Sequence, residues 1–134
     1  MSTAKEAFGG VALGARAGDD SAEPLFPAAT KANGLLFLSG QAPLEPATRA
    51  VCSADFGEQA AFVLDQIAQT LAAAGASMAD VLRVECILAR AEDFAAWNEL
   101  FAARFPAPRP ARTTFVASFV IPGMLLEIQA TASA

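Results

Sequence analysis

Apolar positions along the chain change period several times, and each period predicts an element. Ala60, Val63, Leu64, Ile67 and Leu71 recur every three or four residues, which puts them on one face of a helix of about five turns. Asp55 followed by Glu58 has capping-box spacing, with aspartate in the Ser/Thr place, so this helix is predicted to begin there. Gly75, after Ala72-Ala73-Ala74, is predicted to close it as a left-handed cap. A second helix is predicted from about Glu92 to Arg104, with Phe94, Trp97, Leu100 and Phe101 on one side and acids in its first turn; the prolines at 106, 108 and 110 stop it. An aromatic stripe of this kind is read as core rather than as a stacking platform.

Period-two and short apolar runs mark the strands. Asn33-Gly34 is a turn signal leading into the compact apolar strand Leu35-Leu36-Phe37-Leu38-Ser39-Gly40. The stretch Glu45-Pro46-Ala47-Thr48-Arg49 reads as a turn, after which Ala50-Val51-Cys52 can form an edge strand. Val81 to Leu88 alternates Leu82, Val84, Cys86 and Leu88 against Arg83, Glu85 and Ile87, which suits a central strand. Thr113 to Val120 and Met124 to Thr131 are strands around a Pro122-Gly123 turn. The predicted order is strand, helix, strand, helix, strand, strand. Residues 1–23, rich in Ala and Gly and bearing Asp19-Asp20, suit a loosely ordered arm with at most one short strand; residues 24–134 form a single domain.

Composition narrows the function classes. At 134 residues with 54% apolar residues, one domain can bury an ample core. A net charge of -5 argues against nucleic acid as a partner, since polyanions are held mainly by Lys and Arg. There is no histidine, which removes Ser-His-Asp and Cys-His nucleophilic pairs and every imidazole metal ligand. Cys52 and Cys86 are too few for a zinc site and read as small apolar residues, reduced in the cytoplasm. The run Phe8 to Ala15 is broken by glycines and lacks a basic start, so it makes a poor signal peptide, and no apolar run is long enough to span a membrane. Gly9-Gly10 with Gly14 lacks the strand and helix of a phosphate loop. Glu92-Asp93 and Asp19-Asp20 are adjacent pairs whose side chains diverge, so neither is assigned chemistry.

Two charges stand inside runs that otherwise read as buried strand: Arg112 in Pro110-Ala111-Arg112-Thr113-Thr114-Phe115, and Glu127 in Met124-Leu125-Leu126-Glu127-Ile128. A lone ion leaves water at a cost of several kcal/mol, so it is paired, solvated in a cleft, or used. A structural salt bridge is the competing reading. In a simple hairpin about Pro122, however, Glu127 would lie opposite Ala117, roughly 17 Å along the strand from Arg112. Charges so separated need outside partners, and a cleft between subunits supplies them.

Around these residues the chain resembles the reactive-intermediate deaminase family, the RidA or YjgF type of small enamine and imine deaminases. The resemblance runs roughly from Pro24 to Thr131. It is carried by Lys31-Ala32-Asn33-Gly34 leading into Leu35 to Gln41, by Asp93-Phe94 with Trp97-Asn98-Glu99, and above all by Pro110-Ala111-Arg112-Thr113 with Leu126-Glu127-Ile128. It implies an α+β fold of the Bacillus chorismate mutase type, a mixed β-sheet packed by two α-helices, assembled as a homotrimer with sites in the inter-subunit clefts. Arg112 matches the arginine that grips the substrate carboxylate, and Glu127 the glutamate that positions the attacking water. Gly40 matches the backbone carbonyl that accepts from the substrate nitrogen, and Thr114 the backbone N–H that helps hold the carboxylate. Phe26 stands where the family usually has tyrosine, and Thr114 where it often has cysteine.

The resemblance therefore implies a cytoplasmic, cofactor-independent deaminase with no metal, no nucleic acid and no membrane among its partners, which hydrolyses 2-aminoacrylate-like enamines and imines to ammonia and a 2-keto acid. The alternative is a non-catalytic trimeric binding module for small carboxylates such as 2-keto acids, which the loss of the phenol at Phe26 and the Thr114 substitution favour. An RNA-cleaving relative fits an acidic chain without histidine poorly. Phe26 and Phe115 are expected to line the cleft.

Overall fold

The computed structural model describes residues 4–10 and 25–134. Its elements are β1 (Glu6–Phe8), β2 (Ala29–Ala32), β3 (Leu35–Leu38), α1 (Phe56–Ala73), β4 (Val81–Leu88), α2 (Phe94–Arg104), β5 (Ala111–Val116) and β6 (Leu126–Ser133), with short 3-10 turns at Met78–Asp80 and Ala91–Asp93. The strands form one mixed sheet in the order β1-β2-β3-β6-β4-β5, in which β4 and β5 run parallel and the other neighbours antiparallel. Both helices pack on one face, giving the α+β architecture of a mixed sheet covered by two helices. Of the N-terminal arm, the described part supplies β1, paired with β2; residues 1–3 and 11–23 lie outside the described residues.

α1 follows its sequence signals. Asp55 accepts a hydrogen bond from the Glu58 backbone N–H at 3.0 Å, as an N-cap should. The return contact differs from a capping box: the Ser53 hydroxyl takes the Asp55 N–H at 3.0 Å and donates in turn to the Glu58 carboxylate. At the other end Gly75 has φ 82°, and Ala76 N–H reaches Leu71 O at 2.8 Å, a Schellman closure. Ala60, Val63, Leu64, Ile67 and Leu71 are all fully buried. They meet Val84, Cys86 and Leu88 of β4 and Leu126, Ile128 and Ala130 of β6, the inward members of each alternation.

Three local readings are corrected. Asn33-Gly34 leads into β3 as read, but a strand also precedes it: both residues have positive φ, 54° and 76°, as a two-residue type I′ hairpin requires, and β2 escaped notice because Ala-Thr-Lys-Ala has no apolar alternation. Ala50-Val51-Cys52 forms only an isolated bridge, Leu44 to Val51. Leu82 is half exposed, because a register shift between Val81 and Arg83 breaks the alternation there.

The larger correction concerns the last two strands, which do not pair. β4 lies between β5 and β6. After Val116 the chain bonds Ala117 N–H to Leu88 O at 3.0 Å, passes the end of β4 through the Pro122-Gly123 turn, and returns on the other side with Ala89 N–H on Leu125 O at 2.9 Å. The reason is burial: β4 and β6, eight residues each, match their inward apolar positions over their full length, which the shorter β5 cannot do. Replacing the N-cap, Asp55→Ala, is expected to lower stability by about 1 kcal/mol, read as a lower urea midpoint with an unchanged slope.

Candidate active site

Strand alternation decides where the two strand charges point. On β5, Arg112 and Thr114 share the helix-covered side with Val84 and Cys86 of β4. On β6, Glu127 stands opposite Ile87, on the uncovered side with Glu85 and Gln129. The two charges are therefore on opposite faces of the sheet, separated by one intervening strand and three residues of register, or about 14 Å between backbones. They form no salt bridge with each other, and the competing structural ion-pair reading fails for this pair.

Arg112 is held by rings instead of by an acid. Phe94, Trp97 and Phe101 lie on one side of α2, and the Arg112 guanidinium carbon sits 5.7, 5.9 and 4.9 Å from their ring centroids. A cation over aromatic faces gains roughly 0.5 to 2 kcal/mol and keeps its N–H edges free. Among the described residues none accepts a hydrogen bond from this side chain or pairs with it. The aromatic stripe is core, since Trp97 and Phe101 are buried, but it is also the platform for Arg112, a role the core reading missed. Its signal was an arginine two residues into the strand that follows an aromatic-striped helix. Thr114 spends its hydroxyl on the Trp97 indole N–H at 3.1 Å, and beside it burial pushes the Cys86 thiol up to about 12, slightly opposed by Arg112.

Glu127 lines a cavity of about 590 Å³ together with Phe26, Ser39, Gly40, Gln41 and Arg49. Gly40 lies directly against Glu127: a Cβ there would meet the Glu127 Cδ at 2.8 Å and Oε2 at 3.0 Å, so any side chain at this position would push the carboxylate aside. The Gln41 backbone pairs with Ile128 on both sides, at 2.7 and 3.1 Å, and so clamps Gly40 against the carboxylate. Burial raises the Glu127 pKa from its ordinary value, with no cation or donor among the described residues to offset it. A carboxylate of this kind is a better base than an ordinary glutamate.

The fold thus gathers the five predicted site residues into two groups. Phe26, Gly40 and Glu127 share the cavity; Arg112 and Thr114 lie on the helix side of the edge strand and do not line it. Phe115, expected at the cleft, is on the uncovered face, 46% exposed. Arg49, read from the sequence only as part of a turn, does line the cavity. Cys52 and Cys86 are both free thiols. Among the described residues no three metal-ligating side chains cluster, and no helix is long and apolar enough to cross a membrane.

Comparison with known proteins matches the chain to one family. The family model described as Endoribonuclease L-PSP covers residues 20–134. The 3-aminoacrylate deaminase RutC of Acinetobacter baylyi is 36% identical over 111 residues, 81% of this chain and 88% of that protein. The chloroplastic Reactive Intermediate Deaminase A of Arabidopsis thaliana is 37% identical over 105 residues, 78% of this chain and 56% of that protein. Among solved structures, the Rid family protein YyfA of Yersinia pestis superposes with a TM-score of 0.83 at 26% identity, covering 98% of this chain and 100% of that one.

The raised Glu127 pKa has a consequence for stability. The folded state retains this proton to higher pH than the unfolded chain does, so the contribution is intact below the ordinary glutamate pKa and is lost as pH rises through the folded value. Glu127→Gln, which cannot ionise, is expected to match the native protein in urea stability near pH 4 and to exceed it near pH 7.5.

Proposed function

Since the chain belongs to the Endoribonuclease L-PSP family, the YjgF/RidA proteins, we propose that it is a hydrolytic deaminase of reactive 2-aminoacrylate-like enamines and imines, acting in the cytoplasm as a homotrimer. The observation that carries this reading is the pair of incomplete half-sites. A guanidinium with its donors unspent and a carboxylate with its charge uncompensated lie on opposite faces of one sheet, so neither can serve the other within a protomer. A neighbouring copy brings Arg112 and Thr114 up to the Glu127 cavity. β5, as the edge strand, is free to meet it, with Phe115 and Val116 exposed alongside.

The chemistry follows from the groups in each half. The planar guanidinium of Arg112 offers two parallel N–H donors to the substrate carboxylate, and the ring platform fixes its plane. In the parallel ladder Ala117 donates to β4, so the alternate N–H groups, Thr114's among them, face the free edge and add a donor. The enamine tautomerises to the imine, whose nitrogen donates to the Gly40 carbonyl. Glu127 takes a proton from water as the oxygen attacks the imine carbon and passes it to the nitrogen; it then takes the hydroxyl proton of this tetrahedral adduct and delivers it to the amine as the C–N bond breaks and the carbonyl forms, releasing ammonia and a 2-keto acid. Positioned general-base catalysis supplies about 10² to 10⁴ in rate. None of these steps calls for a metal or an organic cofactor.

A binding module for small carboxylates is the second reading. It is favoured by Phe26, which gives the cavity wall a ring with no hydroxyl. The endoribonuclease named in the family description finds less support, since this chain carries a net charge of -5 and no histidine.

Stopped-flow absorbance with freshly generated 2-aminoacrylate separates the readings, because a binder leaves the decay rate unchanged. Glu127→Gln is expected to slow keto-acid release by about 10² or more with little loss of carboxylate affinity, and Arg112→Ala to abolish both. Co-expressing the two inactive variants should restore part of the activity, since mixed assemblies contain sites with both native residues. No restoration would remove the shared-site geometry, and full activity in Arg112→Ala would remove the assignment.

A further inference from the structure

Arg49 occupies a backbone position that suits glycine. Between the bridged residues Leu44 and Val51 the chain doubles back, with Glu45 N–H on Ala50 O and Arg49 N–H on Glu45 O, both at 2.8 Å, and Arg49 takes φ 61° to close the turn. Side chains with a Cβ seldom adopt this conformation. The other non-glycine residue with positive φ among those described, Asn33, sits in an Asn-Gly hairpin turn where an asparagine is at home.

The Arg49 side chain gains nothing locally in return. Its Nε is shut off from water and has no hydrogen-bond partner, and no described carboxylate lies within salt-bridge distance, although Glu45 and Glu127 are both nearby in the fold. Held on a strained residue and paired with no acid, the guanidinium can meet an incoming anion through its terminal nitrogens. The side chain forms part of the wall of the cavity that holds Glu127 and Gly40. Around it Leu44, Phe119, Ile121 and Met124 supply an apolar lining, in which a charged hydrogen bond is stronger than in water. In the single protomer the cavity measures about 590 Å³, which gives room for more than a three-carbon acid even after a neighbouring copy takes up part of it.

We propose that Arg49 is a specificity residue that reads a second anionic group, so that the cavity takes small dicarboxylates: 2-imino and 2-keto acids carrying an acid at the far end of the chain. This rests on the preceding reading only for the first carboxylate, which Arg112 of a neighbouring copy holds. An apolar-tailed monoacid of equal length is the competing occupant that the same lining would admit.

Calorimetric titration with 2-oxoglutarate and with 2-oxopentanoate, five-carbon keto acids that differ in the distal carboxylate, decides the matter. The native protein is expected to bind 2-oxoglutarate about tenfold or more tightly. Arg49→Gly, which suits the left-handed turn and so keeps the fold, is expected to erase that preference while leaving 2-oxopentanoate affinity unchanged. Equal or tighter binding of 2-oxopentanoate by the native protein, a preference that survives in Arg49→Gly, or binding of neither acid overturns the assignment. A clear 2-oxoglutarate preference in a protein that does not accelerate enamine decay leaves Arg49 in its role and removes the deaminase reading alone.

Discussion

Inserting β6 between β3 and β4 forces the chain to travel around the end of β4 instead of turning back in a hairpin. Burial compensates for the detour: Leu126, Ile128, Ala130 and Ala132 come down on α1 in register with the inward side of β4. The same register leaves Glu127 facing away from the helices and opposite Ile87, beside the Gly40 backbone. Because strand alternation is strict, a one-residue slip would bury Glu127 under α1 and expose the core residues. The apolar register of one central strand therefore places the candidate base.

Arg112 is placed by a different force. β5 ends the sheet, so its helix-side residues are only partly covered, and the rim of α2 presents rings there rather than aliphatic chains. Rings hold a guanidinium by its face and leave its edge open, whereas a carboxylate would have consumed the edge. By contrast, the other arginines in ion pairs, Arg83, Arg90 and Arg104, are matched to acids and structural in character. The distinction between a spent and an unspent guanidinium separates Arg112 from them more sharply than burial does. Arg49 belongs with Arg112 in this respect, although turn geometry, not packing, puts it in the cavity.

Much of the fold was legible because its signals are local. The Asp55 cap, the α1 stripe, Gly75 and the alternation of Val84, Cys86 and Leu88 each depend on residues a few positions apart. β2 was not, because a short strand of small and polar residues owes its conformation to its neighbours β1 and β3. The aromatic stripe of α2 was legible as core but not as a seat for Arg112, since the second role depends on a strand that arrives after the intervening prolines.

By its own pattern the sequence determined that Arg112 and Glu127 interrupt strands, that no histidine is at hand for proton transfer, and that two helices alternate with strands along the chain. Those properties follow from residue type and from periods of two and 3.6. Only the tertiary structure decided that β4 separates the two charges, that they point to opposite faces, and that Phe26, Gly40, Arg49 and Glu127 line one cavity. Strand order and the convergence of distant turns depend on which apolar faces bury best against one another, a choice made by the whole core at once and written in no single segment.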